Sequence, residues 1–480
     1  MIDLVVISLP IIETRGPTPG IYYIKGSAEQ IGFTSVAKDM NVWLQKQTVD
    51  LQPMINYFVQ SDVSKIDKTC EEHKQTVYWF NKYIDQYIDV FSNCTRIGVS
   101  LFSVYNIYPG IILCEIIKER FPNVKIIVGG NGTEDSGLAG EDIGQYFLNQ
   151  ELADYAVYGE GEEAIQYILQ EKPHPSVNSK KSRRSIDNLN QIAYPDYEDF
   201  FLDFPEYKDI DVSIPIIGSR GCVRRCTFCN VGAIWPTYRF RSGENIAQEM
   251  ILNKERYNVS LFRFTDSLIN GSMKAFRDLC HTLADHNALY HKDPIRWSGQ
   301  FICRSEKQMP PNDFEKMKQG GCTTVSIGIE SGSEKVRNDI RKGFTEEDML
   351  YTLDQCAKNN IRIHLMFIVG YPTETDEDFQ KNIDLLNKYQ YYKDKMEIKV
   401  GKTLRLLDNT PLTDEFSHLF YFDDNKESEW VSTVVPDLTF EKRVERAITL
   451  RKVAQDLGYG IKNIHDDENF FEHKLKKRKI

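Results

Sequence analysis

Six short apolar runs alternate with helix-patterned stretches between Ile214 and Val400, and this alternation restricts the fold more than any other feature of the chain. Pro215–Gly218, Leu261–Thr265, Ile295–Ile302, Thr323–Ile329, Ile361–Val369 and Met396–Val400 are strand-like. Glu244–Tyr257, Met273–Ala288, Pro311–Gln319, Glu346–Asn359 and Thr375–Tyr389 carry helical spacing between them. Such β-α units predict a curved partial (β/α)6 barrel of the TIM type, whose ligands bind at the carboxyl ends of the strands. Just past the first strand, at that mouth, the run Ser219-Arg-Gly-Cys-Val-Arg-Arg-Cys-Thr-Phe-Cys-Asn230 places Cys222, Cys226 and Cys229 together. Three thiolates at this spacing can close around one metal cluster. Four-iron clusters usually take four cysteines, so a set of three leaves one iron open to a ligand that is not protein. A zinc ribbon would need a second C-x-x-C pair or nearby histidines, and none follows.

The rest of the chain divides around this barrel. Residues 1–172 show a second β-α alternation, with strands expected at Leu4–Leu9, Phe33–Ala37, Arg96–Phe102, Val124–Val128 and Ala153–Val157. Helices are expected at Ile111–Arg120, Asp142–Gln150 and Glu162–Leu169, and less regularly over residues 51–92. This predicts a Rossmann-like α/β domain with a parallel sheet. Residues 173–213, rich in proline and charge, are expected to be a linker, with the basic run Lys180–Arg184 as a solvated loop. The barrel is expected over 214–416, followed by a helical C-terminal extension over 417–480 that ends in a frayed basic tail. A net charge of -11 argues against broad binding to nucleic-acid phosphates. Asp3 stands where a signal peptide would be basic, and no apolar run approaches the ~18 residues that span a bilayer. A cytoplasmic protein with reduced thiols is expected.

The cysteine triplet, with Phe228 just before its last member, and the segments after it resemble the radical S-adenosylmethionine (SAM) superfamily. The resemblance covers roughly Ile214 to Phe416. It implies a [4Fe-4S] cluster held by Cys222, Cys226 and Cys229, whose open iron binds SAM and cleaves it reductively to a 5'-deoxyadenosyl radical. It further implies SAM-binding roles at successive strand ends. Asp266 and Ser267, after Phe262-Arg-Phe-Thr, match the position facing the methionine amino group, although Asp and Ser also favour helix N-caps. Arg304 closes Trp297-Ser-Gly-Gln-Phe-Ile-Cys-Arg and could grip a carboxylate or make a surface ion pair. Glu330 and Ser331 lie in a Glu-Ser-Gly-Ser motif near the SAM ribose or amino end, with Lys342 as the recurrent basic residue downstream. Val369 and Gly370, before Tyr371-Pro-Thr-Glu-Thr375, match the strand end whose exposed backbone meets adenine.

The first domain is similar to that of the cobalamin-binding subgroup. Ser100 and Ser103 follow a buried strand, Gly129, Gly130 and Asn131 form a glycine turn, and Gly159, Glu160 and Gly161 belong to a Gly-Glu-Gly-Glu run. The resemblance assigns all eight to the cofactor. The D-x-H-x-x-G that supplies a histidine to cobalt in many cobalamin proteins is absent. No G-x-G-x-x-G follows the first strand, and no G-K-[ST] marks a P-loop.

These features imply a cobalamin-dependent radical SAM enzyme that methylates an unactivated carbon of a small-molecule or peptide substrate, served by an electron donor such as flavodoxin or ferredoxin. Cobalamin-assisted cyclisation or rearrangement, and a radical SAM enzyme whose first domain is cobalamin-free, use the same parts. A methylthiotransferase would need three further cluster cysteines, for which the first domain offers Cys70, Cys94 and Cys114 in no matching motif. A cluster-bearing sensor would not turn over SAM.

Overall fold

The computed structural model describes residues 1–10, 16–47, 52–58, 67–134, 136–138, 141–401, 403–422 and 430–461. The basic tail from Lys474 lies outside them. Two compact units emerge, one of Met1–Pro215 with Leu252–Val259, the other of Ile216–Ile251 with Ser260–Ile480.

The first unit is built on a five-stranded parallel sheet of β1 (Leu4–Ser8), β2 (Ser35–Asp39), β3 (Arg96–Ser100), β4 (Lys125–Gly129) and β5 (Tyr155–Ala156). Its order is β2-β1-β3-β4-β5. β1 is buried on both faces, which is why it reads as an unbroken apolar run. The helices Pro19–Glu29, Ile107–Arg120, Ile143–Asn149 and Gly161–Leu169 follow β1, β3, β4 and β5. The first of these escaped the sequence pattern. Its buried face mixes Tyr22 and Tyr23 with Lys25, Ser27 and Gly26, so no apolar stripe marks it.

The expected linker is instead part of this unit. Helix Glu198–Asp203 carries Phe200 and Phe201, both buried. Its acids meet lysines of helix Pro19–Glu29 and of β2: Lys25 Nζ lies 2.7 Å from Asp199 Oδ2, and Lys38 Nζ lies 2.9 Å from Asp203 Oδ2. The basic run is likewise tied down, because Lys180 donates to the carbonyl of Glu134 (2.5 Å) and Arg183 pairs with the Glu134 carboxylate.

The second sheet contains β6 (Ser213–Ile216), β7 (Leu261–Phe264), β8 (Arg296–Phe301), β9 (Cys322–Glu330), β10 (Arg362–Phe367), β11 (Met396–Val400) and β12 (Gly460–Ile461). The first six lie in chain order, β6 at one edge, and β12 adds a short parallel seventh strand beside β11. Helices follow at Gly243–Tyr257, Met273–Leu289, Pro311–Gln319, Glu346–Lys358 and Asp376–Lys388. Thr345 and Thr375 open the last two with capping boxes to Asp348 and Asp378. The C-terminal region is less purely helical than expected. Besides helix Phe440–Asp456 it holds an antiparallel pair, Phe420–Phe422 with Trp430–Ser432, and contributes β12 to the sheet. No helix among the described residues is long and apolar enough to cross a membrane.

Candidate functional site

The cysteine loop leaves β6 and is fixed at two points by groups distant in sequence. At the front, buried Asp266 follows β7 and accepts from the Gly218 amide (2.9 Å) and the Ser219 hydroxyl (2.6 Å). The cap of the next helix is Ser272, so Asp266 serves the loop and not a helix end. Ser267 beside it is exposed. In the middle, fully buried Thr227 donates its amide to Ile340 O (3.0 Å), accepts at its carbonyl from the Leu412 amide (2.8 Å), and shares a 2.9 Å hydroxyl contact with Tyr371. Cys226 packs into an apolar cluster with Val336, Ile340, Tyr371 and Leu412, and Phe228 and Cys229 lie against the same cluster. Phe228 thus helps to seat the loop through packing.

Burial pushes the Cys226 thiol up to about 11 and raises Cys229, while Lys342 pulls both back toward the thiolate. Cys222 and Cys229 act electrostatically on Cys226, so the loop gathers the three sulfurs in one neighbourhood. Among the described residues no three Cys, His, Asp or Glu side chains converge as the ligands of a single metal ion would. A multi-iron cluster makes a different demand, one thiolate on each of three irons. Three neighbouring thiols on a loop pinned at Ser219 and Thr227 suit that demand.

Glu330 and Lys342 meet beside Cys226. The ammonium lies 3.1 Å from Glu330 Oε1, and both residues are about nine-tenths buried. Burial works against the charge on Lys342, yet Glu330 and Cys226 hold it above its ordinary value. Glu330 takes φ +66°, unusual for a residue with a side chain. Gly328 is the reason its carboxylate can fold back, since a Cβ there would lie 2.3 Å from Glu330 Oε1. Arg304 donates to the carbonyls of Asn270 (2.7 Å) and Gly271 (3.1 Å). Burial, with Arg224 nearby, lowers its pKa, and Cys222 and Tyr238 are charge neighbours of the same guanidinium. Its buried Nε has no partner among the described residues.

Other expected residues serve the scaffold. Ser331 accepts from the Ser333 amide (3.1 Å) inside a buried turn. Val369 is fully buried, and the Gly370 amide is taken by Glu374 Oε1 (3.2 Å). Gly370 has φ +81°, and a Cβ there would strike Arg443. A polar rank inside the barrel was missed altogether. Gln300, Ser326, His364 and Glu397 stand in register on β8 to β11, with His364 Nε2 3.0 Å from Glu397 Oε2 and Nδ1 3.4 Å from Ser326 Oγ. Within each strand these residues alternate with fully buried ones, a period-two signal visible in hindsight.

In the first unit, Ser8, Ser100 and Gly129 form one rank at the carboxyl edge of the sheet. Ser103 is bonded to Asn106 Oδ1, Gly130 takes φ +110°, and Asn131 is partly buried beside it. Gly159 takes φ +76°, Glu160 is buried and accepts from the Ile186 amide, and Gly161 begins a helix packed on Ile24. Cys70 caps helix Glu71–Gln86, Cys94 precedes β3 and Cys114 is buried in helix Ile107–Arg120, three separate structural positions.

Asp266 carries a pH consequence. Burial pushes its carboxyl up to about 6 from an ordinary 3.8, against the pull of Ser219 and Gly218. The folded chain therefore holds this proton more tightly than the unfolded one. The contribution to stability is full below about pH 4 and is lost as pH rises to about 6, on the order of 3 kcal/mol for about two units. Urea melts of the cluster-free protein should show this decline, and an Asp266→Asn variant should flatten it. An unchanged slope in the variant would place the titration elsewhere.

Residues 216–386 match the family model of the radical SAM superfamily. The chain is 24% identical over 302 residues to the bacteriochlorophyllide d C-12(1)-methyltransferase of Chlorobaculum tepidum, covering 62% of this chain and 63% of that one. It spans about half to two thirds of the length of the curated relatives it matches first. Among solved structures it shares its fold with the radical SAM methyltransferase TsrM of Kitasatospora setae, determined with tryptophan and a SAM analogue (TM-score 0.63, 13% identity, all of both chains). It also shares it with the cobalamin-dependent SAM radical enzyme OxsB, determined with aqua-cobalamin and SAM (TM-score 0.65, 14% identity, all of this chain and 71% of that one). The fold, the cysteine loop and the matched residues converge on one conclusion: residues 216–386 form a radical SAM domain.

Proposed function

We propose that this chain is a cobalamin-dependent radical SAM methyltransferase acting on an unactivated carbon of a small-molecule or peptide substrate. The observation that carries the proposal is the joining, in one chain, of a three-cysteine loop at a barrel mouth to a Rossmann-like sheet, an arrangement matched along its whole length by TsrM. Methyltransferases among the sequence relatives support the same reaction class. The residues fit the groups required. Three thiols on a pinned loop suit the cluster, and Ser100 and Gly129, both only partly buried, present small side chains at the carboxyl end of the first sheet. When bound, the cluster supplies an electron to SAM and cobalamin supplies a methyl group.

The chain's own residues then hold and orient. Cys222, Cys226 and Cys229 would hold the cluster. Arg304, whose Nε has no partner among the described residues, suits the SAM carboxylate. The Glu330–Lys342 pair offers a charged contact beside Cys226, and Asp266 keeps the loop in place. The polar rank of Gln300, Ser326, His364 and Glu397 gives the barrel hydrogen-bonding capacity toward a polar substrate. The electron comes from a small carrier of the flavodoxin or ferredoxin class.

Anaerobically reconstituted protein given SAM and titanium(III) citrate should form 5'-deoxyadenosine and, after hydroxocobalamin loading and desalting, retain about one cobalamin per chain. A cluster band with SAM cleavage but no retained cobalamin would end the methyl-transfer assignment. Absence of SAM cleavage by an intact cluster would end the enzymatic one.

A further inference from the structure

The inner face of the barrel sheet departs from what a closed barrel of this type packs. There the strands turn bulky branched side chains inward. Here the residues that alternate with the buried ones are polar in rank after rank. Ser298, Thr324 and Arg362 stand level on β8 to β10. Gln300, Ser326, His364 and Glu397 come one step further along, and then Gly328, Met366 and Lys399. None of these is buried, whereas Phe301, Ile327, Leu365 and Ile398 between them all are. A polar face lining a concave sheet is a binding surface and not a core.

The last of the three ranks is the one nearest the cysteine loop. A Cβ on Gly328 would touch the Glu330 carboxylate and lie 3.4 Å from Lys342 Nζ, so that ion pair overhangs the same face. Both of its charges act on Cys226. Lys399 shares the rank with Gly328 and Met366, which puts its strand two spacings, about 10 Å, from the pair. A small molecule fits that span, with Met366 as an apolar floor.

Lys399 is also the charge on this face that the fold leaves unanswered. Its ammonium has no hydrogen-bond or ion-pair partner among the described residues. Glu397, two residues away on the same face, is turned toward β10 instead. Its Oε2 lies 3.0 Å from His364 Nε2 and its Oε1 3.8 Å from Arg362. The three ranks thus carry Arg362 and Lys399 against one carboxylate, in a chain whose net charge is -11. A partly buried, unneutralised ammonium on a concave wall is an anion receptor, because low-dielectric surroundings focus its field. A lysine at a strand edge also deters unwanted strand pairing, a role that asks for no anion.

We propose that Lys399 anchors an acidic group of the substrate, a carboxylate or a phosphoryl, inside the barrel, and so restricts the substrate class to anions. The proposal deepens the enzymatic assignment made above and rests on it.

The test reads the ammonium itself. The full chain, with its cluster reconstituted and SAM present, is pulsed with acetic anhydride, and acetylation at each lysine is read by mass spectrometry. Benzoate and inorganic phosphate are titrated as probes, with benzamide and chloride of matched ionic strength as controls. Without a probe Lys399 should be acetylated. One of the two anions should slow that reaction roughly tenfold at about ten times its dissociation constant. Lys274, whose side chain is 90% exposed, should react unchanged. Protection by benzoate assigns a carboxylate, and protection by phosphate a phosphoryl group. The protecting anion should also raise the melting temperature of the wild type and of Lys399→Arg, but not of Lys399→Met. Without anion the Lys399→Met protein should melt as the wild type does, since it loses no partner. An unreactive Lys399, no protection by either anion, equal protection by benzamide, or a Lys399→Met protein that keeps the anion-dependent rise would each overturn the anchor. If the wild type still forms 5'-deoxyadenosine in that case, the enzymatic assignment stands. Protection in a protein that cleaves no SAM would end that assignment and the anchor's role in it.

Discussion

A Cys226→Ala variant should lose its iron and, with it, roughly a thousandfold or more of 5'-deoxyadenosine formation, equivalent to about 4 kcal/mol or more of the barrel's chemistry. The cluster has no reserve ligand: the loop carries three thiols, and two remain after the substitution. Folding should survive. Alanine fills most of the volume of a small buried thiol, and the loop keeps the Thr227 contacts to Ile340, Leu412 and Tyr371 and the Ser219 contact to Asp266. The informative control is Cys303→Ala. Cys303 is fully buried after β8, burial pushes its thiol up to about 12, and Lys342 and Arg337 are its charge neighbours, so it shares the surroundings without sharing the loop. Iron content and SAM cleavage should remain near wild type in that control. Equal loss in both variants would mean that buried thiols in general, rather than the loop, hold the metal. A Cys226→Ala protein that still cleaves SAM would remove the loop from the chemistry.

The contrast between those two cysteines shows what sequence can and cannot convey. Spacing along the chain is legible, so the triplet and the individual strands and helices of the barrel stood out. Each is a pattern within a dozen residues. The contacts that make the triplet a site span longer separations. Asp266 lies 48 residues from Gly218, and Tyr371 lies 144 residues from Thr227, with nothing local to join them. The segment 173–213 misled for the same reason. Its prolines and acids have the composition of a linker, while Asp199 and Asp203 find their lysines more than 160 residues earlier. The barrel's polar rank was hidden differently, because Ser326, His364 and Glu397 lie on three strands and become neighbours only through parallel register.

Lys342→Met should destabilise the protein by about 3–5 kcal/mol, because it strands a buried carboxylate. Glu330 is held at φ +66° with its carboxylate folded over Gly328, and the ammonium of Lys342 at 3.1 Å is the one ion-pair partner it has among the described residues. Methionine matches the lysine stem in length, so packing changes little and the loss isolates the charge. The second consequence falls on the loop. Lys342 favours the Cys226 thiolate, so its removal should also make iron harder to bind at neutral pH. A double variant, Lys342→Met with Glu330→Gln, separates the two effects. With neither charge present, no uncompensated ion remains, and most of the stability should return. The electrostatic help to Cys226 and any charged contact to SAM should not. Urea melts of the cluster-free chains would therefore show a large loss, a near recovery, and a coupling energy of several kcal/mol. Equilibrium SAM binding to the reconstituted proteins would show two losses and no recovery. If both variants were destabilised equally, the pair would be a packing feature, and the structural case for Glu330 and Lys342 as a charged arm of the site would fall. If both bound SAM as the wild type does, the pair would be a brace for the strained end of β9, and the cosubstrate contacts would have to come from Arg304 and the strand-end backbone.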